Sequence, residues 1–189
     1  MKKLLALLLL MPAIVLAKGT VTTGGFIGPS PSDFVDRFNG ISSSYIQGMF
    51  PRIQLSSGKR VETKPLGHGV TLVLTKVPAG DAFKEITVRC TAVTSPERMR
   101  ACSFGIMLTA TSIDTSIRER DFTQVFSKAV DTGTAIHNQD GVDYRITVNR
   151  RNKSIVMTAA PDAPAVVEEL SDEDDEDDQV VLVVCQQLE

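Results

Sequence analysis

"VTLVLTKVPAGDAFKEITVRC", Val70 to Cys90, decides how this chain folds. Val70, Leu72 and Leu74 alternate with Thr71, Val73 and Thr75, the period-two pattern of a strand with one buried face. Pro78-Ala79-Gly80-Asp81 is a turn, after which Ile86, Val88 and Cys90 resume the alternation. Two strands joined so closely form an antiparallel hairpin, and a run of such hairpins is a meander.

Working outward, "PRIQLSS" (Pro51–Ser57) reads as a short strand that turns at Gly58-Lys59. "CSFGIMLTATSI" (Cys102–Ile113) reads as another strand. "VDYRITVNR" carries Tyr144, Ile146 and Val148 on one face, and "NRRNK" turns it into "SIVMTAA", a second hairpin. Two helices interrupt the strands. Ser32 caps "SDFVDRFNGISSSYI", where Phe34, Phe38, Ile41 and Tyr45 share one face, although Gly40 and three serines make it dependent on packing. Asp121 caps a second helix with Phe122, Val125, Phe126 and Ala129 at helical spacing. D-F-x-x-x-F occurs at Asp33 and again at Asp121, an echo that an ancient duplication would leave but that capping and amphipathicity give by themselves.

The expectation is a single α+β domain: an antiparallel sheet of six to seven strands with two helices packed on one face. Lys2-Lys3, the apolar run Leu4–Val15 and Val15-Leu16-Ala17 have the form of a secretory signal peptide over residues 1–17. The apolar run is well short of the roughly 20 residues a membrane span needs. After signal removal no membrane span is expected, and the chain belongs in a periplasm or outside the cell. Residues 18–31, rich in Gly, Thr and Pro, form an extended leader, and 32–189 the domain.

At the far end stands "SDEDDEDDQVVLVVC". From Lys18 to Pro161 there are 18 Lys and Arg against 12 Asp and Glu, whereas Asp162 to Glu189 has 11 acids and no base. The segment 162–178 reads as a solvated acidic loop, because unpaired charges stay in water. Residues 179–186, β-branched and apolar, read as a last strand rather than a disordered tail.

Of the three cysteines, Cys90 and Cys102 are expected to pair across an 11-residue connection between neighbouring strands, a link contributing roughly 3 kcal/mol. Cys185 is then a core thiol. The acidic run lacks the glycine and the spaced glutamate of a calcium loop, so Asp174, Glu176 and Asp178 offer at most loose binding of a divalent cation. His68 and His137 stand far apart with no cysteine near, and no metal or other cofactor is expected. Both histidines lie in turn-like sequence, "LGHGV" and "IHNQDG". No nucleophile elbow or phosphate loop is present, and a hydrolase would have to use His137 with Asp140 or Asp143. Scattered bases on an exported chain do not make a nucleic-acid surface. What is left is an exported, non-catalytic domain that binds another protein as an accessory, chaperone-like or inhibitory factor. Open sheet edges and separated charge are the features suited to that task.

Overall fold

The computed structural model describes residues 25–45 and 49–162. The elements run α1 (Pro31–Tyr45), β1 (Val61–Gly67), β2 (Val70–Lys76), β3 (Phe83–Cys90), α2 (Pro96–Ile113), α3 (Glu119–Thr132), β4 (Thr134–Gln139), β5 (Val142–Asn149) and β6 (Ser154–Pro161). Every strand pairing is antiparallel, in the order β1-β2-β3-β6-β5-β4. The fold is α+β, as expected, with three helices among the described residues where two were expected. The first half is α1 followed by the β1–β3 meander and the second is α2 and α3 followed by the β4–β6 meander, the halves meeting where β3 pairs with β6. D-F-x-x-x-F stands in the first half's α1 and the second half's α3.

One row of the inner face shows how the layers fit. Glu62, Leu74, Ile86, Ala159, Tyr144 and His137 lie side by side across all six strands. The next row is Lys64, Leu72, Val88, Met157, Ile146 and Ala135. The middle of each row is apolar and fully buried, and the helices cover it. On the opposite face Thr71, Val73, Thr75, Arg89, Arg145, Thr147, Val156 and Thr158 are half-buried or exposed. Antiparallel sheets commonly leave one face wet in this way.

Segment 102–113 is helix α2, not a strand. Ser95 accepts from the Arg98 amide, Pro96 occupies the first turn and Glu97 follows, which together start a helix. Its many Ser and Thr do not compete with the helix, because their hydroxyls donate one turn back. Ser103 donates to Met99 O, Thr109 to Gly105 O and Ser112 to Leu108 O. Small residues also let α2 lie close to the sheet. A methyl group on Gly105 would stand 3.0 Å from Val70 Cγ1. The Cys90–Cys102 disulfide therefore ties β3 to α2, not two strands, with Cα atoms 5.7 Å apart.

Pro51–Ser57 forms no strand. Buried Asn39 takes its place as partner, donating to Ile53 O (2.9 Å) and accepting from the Ile53 amide (2.8 Å). Strands β1 and β4 were not anticipated. β1 holds Pro65, which is tolerated because the strand is at a margin of the sheet. α1 is capped by Ser30 rather than Ser32, with Ser30 Oγ accepting from the Asp33 amide. α3 begins at Glu119, so Asp121 sits within its first turn. The expected leader is also partly structural: Ile27 is buried and bridges Phe83, its amide 2.8 Å from Phe83 O. Residues 1–17 and the expected loop and strand over 163–186 lie outside the described residues.

Candidate functional site: an apolar groove between helices

Residues one helical turn apart share a face, so Phe104, Met107 and Thr111 of α2 look the same way. Glu119, Phe122, Thr123 and Phe126 do likewise on α3. The two faces converge on a groove of about 580 Å³, closed by Ile41 of α1 and floored by Ile106, Leu108 and Ile117. Phe122 is buried at its base, whereas Phe104 on the rim is 45% exposed. Ser103 and Thr123 spend their hydroxyls on the carbonyls of Met99 and Glu119. The lining therefore presents aromatic and thioether surface, with the Glu119 carboxylate its one charged group. The sequence alone does not reveal this site, since half of its lining, in 102–113, has the pattern of a strand.

The two ends of the inner-face row carry the polar clusters. At the β1 end Glu62, almost fully buried, accepts from Lys76 Nζ (2.9 Å), Lys64 Nζ (2.7 Å) and the Ser56 amide (2.8 Å). Burial alone raises its pKa, but hydrogen bonds from Lys64, Lys76 and Ser56 and the charge of Lys76 outweigh burial and hold it at about 2. Lys76 is itself buried and also reaches Ser56 O. This is a fastening for the 50s segment.

At the β4 end His137 stands in a strand, not a turn. The turn itself is Asp140-Gly141, both at positive φ, as a two-residue hairpin requires. His137 Nε2 lies 3.1 Å from Gln139 Oε1, and Gln139 Nε2 donates to Ser116 Oγ (2.7 Å) and Asp114 Oδ2 (3.1 Å). Asp143 is engaged by Asn138 instead, at 2.9 Å. The structure thus does not join His137 to Asp140 or Asp143. Gln139 stands between His137 and Ser116, where a nucleophile and its base would have to meet. The cluster anchors the α2–α3 link to the sheet, and Phe122, His137 and Tyr144 pack ring against ring beneath it. The buried Tyr144 hydroxyl has no hydrogen-bond partner among the described residues, and burial, with the charges of Asp114 and Asp140, pushes its pKa up.

His68 occupies the β1–β2 turn at positive φ, its Nδ1 3.5 Å from Glu97 Oε1 at the surface. Among the described residues no three His, Cys, Asp or Glu gather in a way that could hold a metal ion. Asp174, Glu176, Asp178 and Cys185 lie outside them. No helix among them is long and apolar enough to cross a membrane.

Among the described residues, fold and groove together define a disulfide-bonded α+β domain with three helices on one face of a six-stranded sheet and an apolar groove between two of them. Comparison with known proteins matches no family, no curated protein and no solved structure.

Proposed function

We propose that this chain is an exported, non-catalytic domain that binds another protein, as an accessory, chaperone-like or inhibitory factor. The observation that carries the reading is the groove, whose rim exposes Phe104 and whose walls are Phe126, Met107 and Ile41. Phenylalanine and methionine walls adapt to apolar side chains presented at helical spacing by a partner. A small-molecule site would add converging polar groups to fix orientation, and here two of the hydroxyls are spent within their own helices. Export is supported by the signal-like residues 1–17 and by a disulfide, which persists in oxidising compartments.

A photo-cross-linking residue in place of Phe104, in the native cell, should capture one defined protein. The same residue in place of Arg145, on the open face of the sheet, should not. Equal capture at both positions, or none at Phe104, ends the proposal. His137→Ala tests the hydrolytic alternative. Partner capture should persist, with stability lowered by about 1 kcal/mol through loss of the ring contact to Phe122. A variant that keeps its fold and loses all function would instead place His137 in a reaction.

A further inference from the structure

We propose that the chain's own segment Val180–Val184, within "QVVLVVC", docks along the open edge of β4 as a seventh, antiparallel strand. This inference does not rest on the groove. It rests on the edge of β4, the point where β6 ends, and the direction in which it points.

The ladder between β4 and β5 fixes which backbone groups are spare. The Val148 amide donates to Gly133 O, so residues in step with Gly133 (Ala135, His137 and Gln139) bond to β5. The N–H groups of Thr134, Ile136 and Asn138 and the C=O groups of Ile136 and Asn138 then turn outward along a margin that is free among the described residues, while Thr134 O already accepts from Thr132 Oγ1 (2.7 Å). Ile136 is 51% exposed beside them. Such an edge, with no proline and an exposed branched apolar side chain, is a template for another strand.

The chain leaves the described fold at the end of the sheet where such a strand would start. The Asp162 amide bonds to Gly141 O (2.8 Å), in the turn that ends β4. Since neighbours are antiparallel, β6 and β4 both run towards this end. A chain entering here beside β4 runs antiparallel to it without crossing the sheet. The new position is three strand spacings from β6, roughly 14 Å. The 17 residues from Ala163 to Gln179 can extend about 55 Å. The other margin is unsuited. β1 contains Pro65, has an irregular register between Pro65 and Gly67, and runs away from this end, so an antiparallel addition would have to begin at the far side. An apolar β-branched ribbon also suits a place where one face meets Ile136 and the other Ala135 and His137.

Amide hydrogen exchange on the full chain tests this. The Ile136 amide should exchange on the order of a hundredfold more slowly in the natural chain than in a V181P/L182P variant, in which one proline faces β4 in either register. The Ile146 amide, inside the sheet, should be slow in both. If the prolines also release Ile146, the milder pair V181D/L182D is read the same way. Fast exchange at Ile136 in the natural chain, or equal rates in both chains, overturns the proposal. Protection that grows with protein concentration also overturns it, because a second copy would then be supplying the strand. So does protection in the natural chain that shifts to the residues around Phe104, because the helix groove would then be the segment's place.

Discussion

Replacing Glu62 with Gln should lower the unfolding free energy by about 3–5 kcal/mol, because it leaves buried Lys76 charged with no carboxylate beside it. Lys64 at the rim would turn to water, but Lys76 has only Ser56 O within reach. The double variant Glu62→Leu with Lys76→Met should recover much of the loss, since a buried ion pair and a well-packed apolar pair of similar volume are close in energy. Urea melts of the three proteins decide the matter. A single substitution that costs under about 1 kcal/mol would show that water reaches the pair.

The same residue gives the fold an acid limit. Glu62 has its pKa depressed from 4.5 to about 2 in the folded chain. Its contribution is complete above the unfolded value and is lost as pH falls from about 4.5 through about 2, a change of about 3 kcal/mol. A natural chain whose stability falls across that window, beside a Glu62→Leu/Lys76→Met variant that falls distinctly less, is the expected pair of curves.

Phe122→Ala should cost about 3–5 kcal/mol. The ring is 2% exposed, meets Tyr144 and His137 edge to face, and forms the base of the groove. Its loss would leave a void under α3 and join the groove to the polar cluster around Gln139. Phe104→Ala is the contrasting change. Nearly half of that ring is already in water, so stability should move by well under half as much while partner capture falls. Thermal melts beside cross-linking yields separate the two effects. Equal destabilisation by both substitutions would mean that Phe104 belongs to the core and the groove is not a free surface.

Much of the sheet was legible because β2, β5 and β6 bury every second residue and β3 turns Ile86, Val88 and Cys90 inward, and an alternating pattern has one reading when a face is buried. The failures have physical causes. α2 is buried on several sides, so its apolar residues show no single stripe, and Thr109, Thr111 and Ile106 imitate a strand. The signal that corrects this is Ser95-Pro96-Glu97, a helix start inside the connection between Cys90 and Cys102. β1 and β4 are marginal strands whose composition, with Pro65 in one and Asn138 and Gln139 in the other, lacks strand propensity. They are held by their neighbours. The pairing of Cys90 with Cys102 was legible from spacing and an expected oxidising compartment, while the element each belongs to was only half so. The groove was not legible at all, because a site made by two helices cannot be seen until both are recognised.

The junction of β3 with β6 has a consequence for the order in which the chain is made. Ile86 finds its partner in Ala159, so the most central pairing of the sheet joins the two halves and waits for the last described strand. A growing chain can form the β1–β3 meander early, but it must carry β3 with a bare edge until the second half arrives. Non-local pairing of this kind slows folding and leaves an intermediate open to wrong partners. The two halves cannot be separated into autonomous units without giving each a bare central edge. Truncated products should therefore be sticky rather than half-functional, and a helper that shields a strand edge would act on this chain before its second half is complete.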